Sequence, residues 1–373
     1  MPMAANDVDL KHDASSIAKE RYNLECHNRS GDICDGDNAH DANTETSNKS
    51  RWSYVKDFIL SGVTPLGPQR WPVVFTWIVL ALVLVVFSGE LLYSKETLGE
   101  FLELEPFNFM IGPSIQILVQ CGARYTPCMR NTTFMPPNER YVCLNMTHDT
   151  ALLAATMNTD AVTLFDTATT TALEGCSLED VCGFGGFSNP KIPDQSFRFL
   201  TPLFVHTGVF HCVIDIALLF LIGSRLEPAF NGLRMTVIFV TSGLFGNIFG
   251  SVFALSTAPY LGCSPGLFGM LASLYVDLAY RWRLLTVPVH HLIRLLIITG
   301  ASLIVGLLPG VDTYANVGGL LSGILIGLVA VPAETTSTRR SLYGLLVVRT
   351  LSSGLLVSSL ALMLKTFYDE NDL

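Results

Sequence analysis

Residues 204–215 read Phe204-Val205-His206-Thr207-Gly208-Val209-Phe210-His211-Cys212-Val213-Ile214-Asp215. The run is apolar, yet it carries two histidines and an aspartate, and the four-residue spacing of His211 and Asp215 puts them a turn apart on one helical face. Its surroundings decide what this means. Residues 198–332 hold ten charged side chains in 135 positions: Arg198, Asp215, Arg225, Glu227, Arg234, Asp277, Arg281, Arg283, Arg294 and Asp312. That is too few to coat a water-facing surface. The 373-residue chain as a whole is 50% hydrophobic and 15% charged with a mean hydropathy of +0.43, against about 25% charged residues in a soluble domain. A polytopic, all-α membrane protein embedded in a lipid bilayer follows. The net charge of −9 argues against nucleic acid as a partner, because a basic face is needed to displace counterions from phosphate.

Outward from residues 204–215, apolar stretches recur at about 72–88, 199–222, 235–255, 264–280, 291–308, 315–332 and 342–364, each near or above the length needed to span. Seven spans are expected. Residues 1–71 are polar and without apolar periodicity, which predicts a disordered tail, and no apolar run follows Met1 closely enough for a cleaved leader. Residues 72–88 then read as a retained signal anchor. Residues 89–197 form a long acidic connection, with five Lys/Arg against thirteen Asp/Glu, ahead of a core at 198–332 and a last segment at 333–373 with one more span and a short acidic tail.

Lys and Arg in short loops are retained on the cytoplasmic side. Arg225 and Arg234, then Arg281, Arg283 and Arg294, then Arg339, Arg340 and Arg349 fall in alternate loops, while 256–263 and 309–314 carry no basic residue. The amino terminus is therefore expected in the cytosol and residues 89–197 in the lumen of the secretory pathway or at the cell surface. Sequons at Asn131 and Asn145 are glycosylation candidates there. Cys121, Cys128, Cys143, Cys176 and Cys182 would meet an oxidising compartment, giving one or two disulfides and a leftover thiol.

Ionisable groups inside a span are functional candidates by default. For His211 and Asp215 the simpler alternative is a buried pair satisfying each other. Ser264 and Asn316 fall at the same, non-cytosolic ends of their spans, and His211 lies partway down its own from that side, so three polar groups converge at one depth. Gly319, Gly323 and Gly327 recur at fourfold spacing, the small-residue device for close helix packing.

The chain resembles the rhomboid family of intramembrane serine proteases, of the eukaryotic secretory-pathway type with an extra carboxyl-terminal span. Phe204-x-His206-x4-His211-x3-Asp215 is similar to the family's second-span signature and Gly223-x-x-Leu226-Glu227 to the end of that span. Gly262-x-Ser264-x4-Gly269 is similar to its nucleophile motif. Leu308-Pro309-Gly310-Val311-Asp312-x2-Ala315-Asn316-Val317-Gly318-Gly319 is similar to the segment bearing its base. Ile111-Gly112-Pro113-Ser114 and Gly122-Ala123-Arg124-Tyr125-x-Pro127-Cys128 resemble the first loop. The resemblance implies a six-helix rhomboid core plus one further helix, and a nucleophile position at Ser264.

It also exposes departures. The family's base is a histidine where this chain has Asn316, and an amide cannot take a serine's proton. Loss of a general base costs on the order of 10²–10⁴ in rate. The family places a neutral Asn at 215 to help His211 stabilise an oxyanion, whereas an ionised Asp215 only accepts hydrogen bonds and would repel that charge. Pro265 follows the serine where the family has Gly, which opens a structural reading of Ser264 as a helix N-cap with Pro at the first helical position. The family's Trp-Arg pair is Phe197-Arg198.

Three functions remain open at this stage. One is a protease-defective member that binds single-span membrane proteins and alters their trafficking or stability. The second is an active endopeptidase using Ser264 with His211 as base, oriented by Asp215. The third is a structural subunit whose residues 89–197 carry the partner contacts. No metal-ligand spacing and no cofactor motif is visible, so neither group is expected.

Overall fold

A computed structural model describes residues 71–103, 109–141, 175–307, 310–332 and 339–369, all within one compact unit spanning Phe58–Leu373. The expectation of a disordered tail over 1–70 and the sequon at Asn145 lie outside the described residues. Among those described the regular structure is helical: α1 (Phe75–Leu98), two short helices α2 (Ile115–Gln120) and α3 (Leu178–Cys182), then α4 (Val209–Phe230), α5 (Gly232–Phe253), α6 (Ser264–Tyr280), α7 (Pro288–Val305), α8 (Thr313–Ala330) and α9 (Arg339–Asp369). Six of these, α1, α4, α5, α7, α8 and α9, are long and apolar enough to cross a membrane. The 17-residue α6 is shorter and buried along nearly its whole length, so it serves as the post around which α5 and α8 pack.

Two boundaries differ from the sequence reading. Helix α1 runs ten residues beyond 88 and carries Glu90 into the interior with it. Helix α4 begins at Val209 rather than near 199, because residues 196–203 coil into two 3-10 turns, one with Pro202 in its first turn. At Gly208 the backbone is extended, and Val209 N–H donates to the Ile111 carbonyl at 2.9 Å. A side chain at Gly112 would strike Thr207, and one at Gly208 would strike Met110 and Ile111. The 110–112 segment therefore lies backbone to backbone against the start of α4.

Close helix approach is concentrated where glycines were noted. A methyl at Gly323 would lie 2.5 Å from the Cα of Gly269, one at Gly319 would strike the Pro265 carbonyl, and one at Gly269 the Ser242 side chain; Gly327 is looser, 3.1 Å from Val276. Backbone contact of this kind replaces hydrophobic driving force inside a bilayer, where lipid tails are as apolar as leucine. The other end of the molecule is tied by charge. Glu227 of α4 accepts from the Val74, Phe75 and Thr76 amides at 2.8, 2.6 and 2.9 Å and from the Thr76 hydroxyl at 2.9 Å. It satisfies the orphan donors at the positive end of α1, which has no capping side chain of its own.

Residues 109–141 and 175–203 form a cap over one end of the bundle. The Cys128–Cys182 disulfide joins it internally and Cys176 is also disulfide-bonded, leaving Cys121 a free thiol that burial pushes up to about 12. Buried Arg198 donates to the carbonyls of Val119, Ala123 and Cys182 and to Gln195 Oε1. Arg124 reaches from the cap to α5 and α8: it donates to the Asn247 carbonyl at 2.9 Å and pairs with Asp312. Asp312 in turn caps α8 through the Tyr314 amide at 2.8 Å.

Candidate functional site

Ser264, Asn316, His211 and Asp215 all line one cavity, whose remaining wall is mostly apolar, chiefly Leu218, Leu267 and Phe268, with Ser302 of α7 as a further polar residue. Roughly 30 Å³ of it is open to water centres, room for a water or two. Each polar residue arrives by a different route. Helix α4 presents His211 and Asp215 from successive turns, α6 presents Ser264 from its first residue, and α8 presents Asn316 one turn beyond its Asp312 cap. The capping reading of Ser264 needs correction: the N-cap is Cys263, and Ser264 Oγ has no hydrogen-bond partner among the described residues.

The two sides of this cavity are built differently. On the α8 side both Asn316 amide atoms are buried without a partner among the described residues, and Nδ2 lies so near Gly306 of the α7 terminus that a Cβ there would be 2.8 Å away. No bond joins Asn316 to Ser264. On the α4 side Asp215 is surrounded. Its Oδ2 accepts from the Cys263 amide at 3.1 Å and the Cys263 thiol at 3.3 Å, and faces Nε2 of both His206 and His211 at 3.5 Å. The Nδ1 atoms of the two imidazoles are engaged elsewhere: that of His206 with the Phe204 carbonyl at 3.2 Å, and that of His211 with the Thr207 hydroxyl at 2.7 Å. Gly262 packs against the His211 ring, 2.5 Å from Cε1 had it a Cβ, and holds φ +122, so that position serves both a close approach and a left-handed turn.

Sequence reasoning missed two members of this neighbourhood and one grouping within it. Cys263 passed as a filler residue inside the nucleophile motif. Glu90 was placed in the acidic connection, but its carboxylate takes the His206 amide at 3.3 Å. The third omission is collective: His206, Asp215 and Cys263 bring ligand-type atoms within 4.8 Å of one another. The expectation of no metal cluster rested on spacing along the chain, and these residues come from two separate segments that only the packing of α4 on α6 unites.

Of the glycosylation candidates, Asn131 is exposed on the cap. Arg198 is the buried clamp of that cap, so the change of its neighbour to Phe197, half-exposed and edge-on to Phe184 at 5.1 Å, has not displaced it.

A family model described as the rhomboid domain matches residues 193–333. The chain is 32% identical over 265 residues to a rhomboid-type serine protease 2 of Emericella nidulans, covering 68% of this chain and 48% of that protein. It is 37% identical over 161 residues to human inactive rhomboid protein 2, covering 43% of this chain and 19% of that one. To inactive rhomboid protein 1 of Danio rerio it is 34% identical over 155 residues, covering 42% and 18%. The chain thus spans about half the length of the first relative and a fifth or less of the others. The helical bundle, the cavity shared by four helices and these likenesses together identify the chain as a member of the rhomboid family, a multi-pass integral membrane protein.

Proposed function

We propose that this chain is a protease-defective rhomboid that binds single-span transmembrane proteins and alters their trafficking or stability without cutting them. One observation carries the reading: Asn316, at the position of the family's base, is buried with its amide unpartnered among the described residues and makes no bond to Ser264. A serine hydroxyl is a weak nucleophile without an adjacent base. Asp215 adds to this, since a carboxylate beside the developing oxyanion opposes it. Client binding has its own support. Helix α7 is the least embedded of the core helices, with Ile293, Leu296, Ile297 and Ile304 exposed, and the cavity lies between it and α4, where an apolar helix can enter.

An active serine endopeptidase is the second reading, favoured by the likeness to a relative whose name is rhomboid-type serine protease. It needs His211 to reach Ser264 while Asp215 orients it. Against it stand the engagement of His211 Nδ1 by Thr207 and the placement of Nε2 3.5 Å from Asp215, with no hydrogen bond from either nitrogen to Ser264.

The secretory membranes as location and a cytosolic amino terminus belong to the same proposal. They rest on the arginine loops and on a disulfide in the cap, a bond that persists in oxidising compartments. The test is a cleavage assay with the full chain in proteoliposomes and a generic transmembrane substrate. The reading predicts no cut by wild type and binding of the uncut substrate. Robust cleavage by wild type that Ser264→Ala abolishes would overturn it.

A further inference from the structure

The polar groups around Asp215 do not balance as hydrogen bonds. His206 Nδ1 faces the Phe204 carbonyl, an acceptor, so Nδ1 carries the proton. In the neutral ring Nε2 is then a lone pair, and it points at a carboxylate oxygen 3.5 Å away, another acceptor. His206 Nε2 and His211 Nε2 are both buried without a hydrogen-bond partner among the described residues. The residues themselves are sealed, with 0% exposure for His206, 4% for His211, 2% for Asp215 and 1% for Cys263. Buried polar atoms are nearly always satisfied, and the His206 lone pair facing a carboxylate calls for a cation between them.

The distances say which kind. Around a tetrahedral zinc ion with bonds of roughly 2.0–2.3 Å to N, O and S, neighbouring ligand atoms stand roughly 3.3–3.6 Å apart. Here the contacts to Asp215 Oδ2 are 3.3 Å from Cys263 Sγ, 3.5 Å from His206 Nε2 and 3.5 Å from His211 Nε2. His206, Asp215 and Cys263 form the mutually close set, while His211 meets it only through Asp215 Oδ2. A metal-binding histidine characteristically donates its other ring N–H to a carbonyl or similar partner, which fixes the ring. His206 has this arrangement with Phe204.

The geometry points to a divalent transition-metal site, best suited to zinc, formed by His206 Nε2, Asp215 Oδ2 and Cys263 Sγ, with the fourth position left to a water from the adjoining cavity. Mixed nitrogen, oxygen and sulfur donors in a tetrahedral array select zinc over magnesium or calcium, which take oxygen ligands in larger numbers. Binding releases the Cys263 thiol proton to solvent, because the thiolate is the ligand. Asp215 and His211 also line the cavity that holds Ser264, which gives the ion its way in. The ion would cross-link the start of α4 to the turn before α6. The inference is independent of whether the chain cleaves peptides.

The test uses the full chain, purified in detergent, stripped with a chelator and titrated with Co²⁺ as a spectroscopic substitute for Zn²⁺. Wild type is expected to take up a single ion per chain, with the visible bands of tetrahedral cobalt and a near-ultraviolet thiolate band. Cys263→Ser should lose the thiolate band. Asp215→Asn should weaken uptake by at least about 10-fold, the cost of losing even an outer-shell partner, while Cys121→Ser, which removes a free thiol outside the cluster, should leave it unchanged. Zn²⁺ should raise the Tm of wild type and not that of Asp215→Asn; that variant stands as the test if Cys263→Ser does not fold. A Co²⁺ spectrum unaltered by Cys263→Ser would overturn the site. So would wild-type uptake no greater than that of the triple His206→Ala/Asp215→Asn/Cys263→Ser variant.

Discussion

The two walls of the Ser264 cavity make opposite errors in polar accounting. The α8 wall has too few partners: both amide atoms of Asn316 are orphaned. The α4 wall is crowded: two imidazole nitrogens and the Cys263 thiol converge on one carboxylate oxygen of Asp215. In a working Ser-His protease the chemistry lies on the first wall, between nucleophile and base. Here the connected groups lie on the second, and Ser264 stands between them bonded to neither. The comparison teaches that the unpartnered Asn316 amide and the polar cluster around Asp215 are separate features of one cavity, and separate substitutions should divide them.

The largest effect is kinetic. Returning a base with Asn316→His and a neutral donor with Asp215→Asn together should produce cleavage of a transmembrane substrate where wild type shows none. Asn316→His alone should fall short of the double variant by about 10²–10³, the usual cost of a faulty oxyanion site. Equal rates for single and double variants would mean that Asp215 does no harm to catalysis.

Next comes stability, read as thermal or denaturant unfolding in micelles. Removing one member of a buried charged network costs about 3–5 kcal/mol, and Asp215→Ala should fall there because it strands His206 and His211. Asn316→Leu removes an already unsatisfied group and should be close to neutral or stabilising. If both substitutions cost the same, the contrast between the walls fails. Smaller still, losing Cys128–Cys182 through Cys128→Ser/Cys182→Ser should cost about 2–4 kcal/mol, since that bond closes the cap from which Arg124 reaches Asp312 at the head of α8.

The smallest effect lies in the cap itself. Ser177 and Asp180 form a reciprocal capping box on α3, and hydrogen bonds from the Ser177 hydroxyl and amide hold the Asp180 carboxyl below its ordinary value. A depressed carboxyl stabilises the fold above its unfolded value of 3.8, and the contribution disappears as pH falls through the lower folded one. Ser177→Ala should cost about 1 kcal/mol at neutral pH, and the difference from wild type should shrink below about pH 4, as followed by acid titration of unfolding.

The fold was largely legible because apolar run length is a one-dimensional signal, and seven runs correspond to α1 and α4–α9. Legibility ended where polar residues behave against type. Glu90 reads as the start of an exposed connection, yet α1 continues through it, because the His206 amide gives its carboxylate a partner inside. The start of α4 was placed ten residues early, because an apolar sequence does not reveal that Gly208 and Gly112 hold their backbones together. For the site, Ser264, His211 and Asn316 share a cavity as their common depth implied. The vicinity of Cys263 and Asp215, 48 residues apart, and the Arg124–Asp312 pair, 188 apart, arise from helix packing that no local spacing encodes.

The central claim is that Ser264 is an unactivated hydroxyl. Fluorophosphonate labelling of the purified, folded chain measures this directly, since the probe reacts only with a serine made nucleophilic by its surroundings. No adduct should form at Ser264 in wild type, and one should appear when Asn316→His is introduced together with Asp215→Asn. Stoichiometric labelling of wild-type Ser264, lost in His211→Ala, would contradict the account and establish His211 as its base.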